Sequence, residues 1–197
     1  MRLRIEMLHR SLPGAHALPW VVLALFLTSL STASASPPAQ PASSPCASSE
    51  HHRLDFWIGD WDAYDAGAPA TPSAHVRVAP ILDGCALREE YHGSNGAVGE
   101  SLSTYDATRG VWHQTWMTNH GALLVLEGRF EGDLLTLVGR RKAENGKTLL
   151  VRGHWQPAGK GRVHEWAETS ADGGTTWTVW FDFEFRPDAA RHRAISR

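Results

Sequence analysis

The 197-residue chain has only two cysteines, no marked excess of charge of either sign, and no apolar run long enough to cross a bilayer. Each shortage excludes something. With 19 Lys and Arg against 21 Asp and Glu the formal net charge is −2, so no concentrated positive face is expected, and neither nucleic acid nor an anionic membrane is expected as a partner. The longest apolar stretch, Trp20 to Leu30 (WVVLALFLTSL), has eleven residues, whereas a spanning helix takes about 20. Among the 11 histidines no H-x-H or H-E-x-x-H spacing occurs, so no metal, haem or other cofactor is expected. No G-x-S-x-G elbow surrounds Ser101 or Ser103, which removes the usual setting for a serine nucleophile. No segment carries a helical apolar period beyond one or two turns, as Glu50 to Phe56 could form.

What is present begins with an address. Arg2, Arg4 and Arg10 precede the short apolar stretch, and Ala33-Ser34-Ala35 offers an A-x-A cleavage site, the pattern of a secretory signal peptide covering residues 1–35. The alternative is a membrane anchor, for which the apolar run is too short. Cleavage near Ala35 removes three arginines and one glutamate, leaves a more acidic chain with no membrane span, and delivers it to the periplasm or the exterior. Residues 36–49, rich in Pro, Ala and Ser, read as a tether. The domain proper is expected over 50–187, followed by a basic tail over 188–197. Cys46 and Cys85 both lie beyond the signal, and in an oxidising compartment a pair is most simply a disulfide, the alternative being two separate thiols. No lipobox precedes Cys46.

The domain's pattern is that of strands. Short alternating segments fall near 60–65, 74–79, 84–92, 98–106, 110–118, 121–131, 133–140, 147–155, 161–169 and 175–185, separated by Gly-bearing turns such as Asn119-His120-Gly121 and Glu131-Gly132-Asp133. Such connections are too short for a parallel crossover, so neighbours must be antiparallel. The expected fold is all-β, an antiparallel meander of about eight to ten strands closing into a barrel, since closure removes exposed edges.

Arg162 to Arg186 reads as a hairpin. On its second arm Trp177, Val179, Phe181, Phe183 and Phe185 alternate with Thr178, Asp182 and Glu184, and Trp180 is the misfit. The connecting Ser170-Ala171-Asp172-Gly173-Gly174-Thr175-Thr176-Trp177 resembles the Asp-box turn of sialidase propellers and many secreted β proteins, a structural device on unrelated folds. Four segments, LDFWIGDWDAY, ILDGCALREEY, STYDATRGVWHQTWM and ETSADGGTTWTVWFDFEF, together resemble an uncharacterised family of secreted bacterial proteins that open with FDFWxGxW. Leu54 stands where that opening usually has Phe. A helical turn leading into Gly-x-Trp is also similar to the lipocalin opening, and the resemblance implies a calycin-like barrel without implying an activity.

On Val111 to Met117 one face presents Trp112, Gln114 and Trp116, two indoles flanking an amide, which suits a ligand wall. The alternative is ordinary core with Gln114 bonded to a neighbouring strand. Trp57 and Trp61 of the opening are further ligand candidates. Among carboxylates on strands, Glu165 shares a phase with Val163 and Ala167 and Glu89 with Leu87 and Tyr91, which makes these two the inward candidates. His154, in phase with Arg152 and Gln156, is expected to face solvent. No residue is assigned a catalytic role. The functional expectation is a secreted or periplasmic barrel that binds a small, largely apolar molecule without catalysis. A filled barrel serving as an envelope structural or interaction module, and a small-molecule enzyme using Glu165 or Glu89, are the alternatives.

Overall fold

A computed structural model describes residues 45–143 and 145–188. The expected signal peptide, most of the tether and most of the C-terminal tail lie outside these residues. Ten strands follow one another: β1 (Gly59–Asp65), β2 (Ala74–Ile81), β3 (Ala86–Gly93), β4 (Val98–Asp106), β5 (Val111–Thr118), β6 (Leu123–Glu131), β7 (Leu134–Lys142), β8 (Thr148–Pro157), β9 (Val163–Ser170) and β10 (Thr178–Pro187). Every strand pairs antiparallel with its neighbours in sequence, and β1 closes on β10. The result is a closed ten-stranded meander, as the short turns require.

One end of the barrel is plugged. Two short 3-10 turns, Ser49–His52 and Asp55–Trp57, precede β1, and they drop Leu54 and Trp57 into the barrel until each is 1% exposed. Trp57 packs at a ring distance of 6.0 Å from Trp155 and 6.3 Å from Phe185, while Trp112 meets Phe130 at 6.0 Å. Arg53 lies 4.2 Å over the Phe130 ring and donates to the Gly132 carbonyl, and Trp61 donates from its indole to the Trp57 carbonyl at 2.9 Å. Rings packed edge to face bury much apolar area and gain from their quadrupoles. The Cys46–Cys85 disulfide ties the segment before the plug to the start of β3.

The β9–β10 connection explains why β10 begins at Thr178 and not, as the alternation implies, near 175. Asp172 accepts from the backbone amides of Thr175 and Thr176 at 3.0 and 2.9 Å and from the Thr176 hydroxyl at 2.6 Å, while Ser170 Oγ accepts from the Gly174 amide at 2.8 Å. These residues are spent on the turn, and Gly173 and Gly174, at φ 76° and 97°, take conformations that side chains disfavour. Beyond the turn the register shifts between Val179 and Phe181, so Trp180 is the extra residue of a β-bulge. The bulge corrects the simple alternation of this arm. Val179 is 59% exposed, while Phe181, Phe183 and Phe185 stay on the inner face.

Candidate functional site

Above the plug the barrel is hollow. A cavity of about 250 Å³ is lined by Glu89, Tyr91, Gln114, Trp116, Leu124, Leu126, Val151, Gly153, Trp155, Glu165, Ala167, Trp180, Phe181, Phe183 and Phe185. Ala167 on β9 is a small inward position, and Gly153 on β8 makes room for the Trp155 indole, which a Cβ there would meet at 2.7 Å. Tyr91, Trp116, Phe181 and Phe183 are only partly buried and Trp180 is exposed, so the cavity opens at this end. Trp116 meets Tyr91 edge to face at 5.7 Å on one side of the mouth, and Phe181 stacks on Phe183 at 5.2 Å on the other. Gly99 makes the placing of Trp116 possible, since a Cβ there would sit 2.3 Å from the indole.

The polar groups form a short chain. Gln114 Nε2 donates to Ser103 Oγ at 3.1 Å and, more weakly, to Ser101 Oγ at 3.5 Å; Ser101 Oγ donates to Glu89 Oε2 at 2.7 Å. Ser101 and Ser103 are buried while Leu102 between them is exposed, an inverted alternation: β4 turns polar groups inward and an apolar one outward. Across the cavity Glu165 pairs in register with Trp155 of β8; the indole N–H lies close enough to lower the Glu165 carboxyl somewhat, but neither Glu165 Oε2 nor Trp155 Nε1 forms a well-aligned hydrogen bond. An unmet buried polar atom is costly and marks a place where a partner is wanted.

Burial governs the charge of this pair. It raises the Glu89 carboxyl to about 7, opposed by the Ser101 hydrogen bond. Glu165 is pushed well above the usual carboxylate range, first by burial and then by the negative charge of Glu89. Both carboxyls also help burial to raise the Tyr91 phenol. Low polarizability around an acid disfavours its ionised form, and two like charges in one cavity disfavour it further.

Four of the seven ligand candidates read from the sequence, Glu89, Gln114, Trp116 and Glu165, meet on the cavity wall. Trp57, Trp61 and Trp112 do not: they are buried in the packed end, because the 3-10 plug fills the barrel at their level. Gln114 is bonded to neighbouring strand residues as well as lining the cavity. His154 is a second correction. It projects outward with Arg152 and Gln156 as its phase requires, but it is only 8% exposed, covered by Trp166 stacked at 4.6 Å and hydrogen-bonded to Thr136 Oγ1 at 3.0 Å. Periodicity tells direction, not cover. Tyr91, Trp155, Trp180, Phe181 and Phe183, none of them among the ligand candidates read from the sequence, also line the cavity. Tyr91 shares the phase of Glu89, and the misfit of Trp180 in its strand was the sequence mark of the bulge that carries it to the mouth.

Outside the barrel Asp62, His75 and Asp188 offer three ligand atoms within 4.8 Å of one another, but His75 Nδ1 already lies 2.6 Å from Asp62 Oδ1. No described helix is long and apolar enough to cross a membrane. No protein-family model and no curated protein matches the chain.

Proposed function

We propose that this barrel is a secreted or periplasmic carrier or sensor that binds a small, largely apolar molecule without chemical conversion. The observation that carries the reading is the cavity: about 250 Å³, open at one end, walled by rings and aliphatic side chains with a few convergent polar groups, the usual make-up of a small-molecule site. The compartment rests on the signal-like N-terminus, the Cys46–Cys85 disulfide and the resemblance to secreted bacterial proteins. A hollow interior speaks against the filled envelope module, for which rings should occupy the whole barrel.

The enzyme alternative has one observation in its favour, the Glu89 and Glu165 pair with both carboxyls raised, since general acid–base catalysis needs such values near neutral pH. Native mass spectrometry of the protein purified from its own host tests the carrier. A bound, chemically unchanged small molecule that is lost on Trp116→Ala is the expected result; a protein that retains nothing and binds no apolar probe contradicts it. Turnover of the retained molecule on incubation favours the enzyme.

A further inference from the structure

The cavity's ionisable groups are all acids. Among the described residues lining it, two are glutamates, one is a tyrosine and one a glutamine, and none is Lys, Arg or His. Glu165 faces one donor, the Trp155 indole N–H, which misses a well-formed hydrogen bond to it, and Glu89 has one from the protein, the Ser101 hydroxyl. The wall's ionisable side chains are thus acids without a compensating cation, set among aromatic faces whose quadrupoles are negative above the ring and attract cations. A ligand carrying a carboxylate or phosphate would bring a negative charge into a dry site that can compensate it with no cation and would be repelled by either acid once ionised, and a neutral alcohol leaves an ionised carboxyl uncompensated. An ammonium offers up to three donors and a compensating charge.

We propose that the molecule taken up is a small amine, its ammonium seated between Glu89 and Glu165 and its apolar body against Trp116 and Tyr91. This rests on the reading of the cavity as a ligand site. Seating the ammonium requires ionised carboxyls, so a proton is released from the pair for each one the ligand displaces, and protons compete with the ligand at low pH. The groups facing the pair are Tyr91 from its own strand, Ser101 and Ser103 from β4, Gln114 from β5, Trp155 from β8 and the phenylalanines of β10. Of these only Tyr91 titrates, and burial with the two nearby carboxyls raises it further, so it stays neutral over the range that matters. Amine affinity accordingly rises with pH through the neutral region, until the free amine itself loses its proton.

The probes are 2-phenylethylamine and its neutral counterpart 2-phenylethanol, titrated calorimetrically into the purified protein in two buffers of different ionisation enthalpy. The amine is expected to bind tighter than the alcohol by about tenfold or more near pH 8, with a smaller margin near pH 6 and with proton release on binding. Glu165→Gln, which keeps shape and removes the charge, should abolish that margin while leaving alcohol affinity within about twofold, and Glu89→Gln should reduce it. Equal affinities for the two probes overturn the inference, as does a margin that survives in both glutamine variants. If neither probe binds while the protein is folded, the reading of the cavity as a ligand site fails and this inference falls with it.

Discussion

The two ends of this barrel are built from the same residue types and put them to opposite use. At the plugged end Trp57 and Trp61 pack against Phe185 and Trp112 against Phe130, and the three indoles are nearly inaccessible; at the open end Trp116, Tyr91, Phe181 and Phe183 stand around empty space and remain partly exposed. Tryptophan content alone thus says little about binding. What separates the ends is the 3-10 plug, which fills one and stops short of the other, where two buried acids line the space. Stability should be concentrated at the first and ligand affinity at the second.

The largest effect expected is at the plug. Trp57→Ala should cost about 4 to 5 kcal/mol, the upper range for truncating a packed aromatic, and bring the chain close to its unfolding limit. Chemical denaturation measures it; a loss below about 1 kcal/mol would mean the plug is not holding this end. Next is the disulfide that anchors the plug's approach. Replacing Cys46 and Cys85 together by serine should cost about 4 kcal/mol in the chain-entropy picture, with the cavity's probe binding unchanged once the variant is folded.

The acids give an intermediate effect with a definite sign. A carboxyl whose value is higher in the folded chain than in the unfolded one binds more protons when folded, so its contribution is most favourable below the unfolded value and is lost as pH rises through the folded one. For Glu89 that window runs from 4.5 to about 7, and the loss across it is roughly 3 kcal/mol. Glu165 acts in the same direction and extends the fall to higher pH. Ion-paired carboxylates at the surface oppose it only in acid: Glu127, held to about 2 by Arg109 and His113, contributes stability that is lost as pH falls below 4.5, outside the window of Glu89. Burial lowers the His154 pKa and works the other way below pH 6.5, so the test is a difference: from pH 5 to pH 8 the denaturation midpoint should fall more steeply, or rise less, in the parent than in Glu89→Gln. Parallel profiles in the two proteins would show that Glu89 is not raised in the empty protein.

The smallest stability effect is expected at the mouth. Trp116→Ala should cost about 1 to 2 kcal/mol, because a half-exposed ring beside a cavity leaves fewer contacts behind than a packed one, while probe binding falls by about tenfold or more. Losing stability as Trp57→Ala does, with binding intact, would make the open end a second core.

How far all this is legible in the sequence differs between the ends in the same way. The strands, their antiparallel order and the closing pair follow from alternation and Gly-bearing turns, and the inward phase of Glu89 and Glu165 follows from that of Leu87 and Val163. Depth along the barrel does not. Nothing in the alternation of Trp112, Gln114 and Trp116 says that the first is walled in by Phe130 and Tyr105 and the last opens to solvent, because period two reports the face of a strand and not its level. The inversion at Ser101, Leu102 and Ser103 was hidden for a related reason: apolar-inward is the rule for a core, and a strand that supplies hydrogen bonds to a buried acid breaks it. The bulge at Trp180 showed itself only as a misfit. Its position follows from how the Asp172 turn sets the start of β10, which is a property of hydrogen bonds across the hairpin.

The division of labour between the ends is tested most directly by the indole N–H signals in a proton–nitrogen correlation spectrum of the folded protein titrated with 2-phenylethanol. Trp116, Trp155 and Trp180, which line the cavity, should shift with probe concentration, while Trp57, Trp61 and Trp112 should hold their positions. Shifts at Trp57 and Trp112 equal to those at Trp116, or no saturable shift at any indole, would contradict a barrel that is core at one end and binding site at the other.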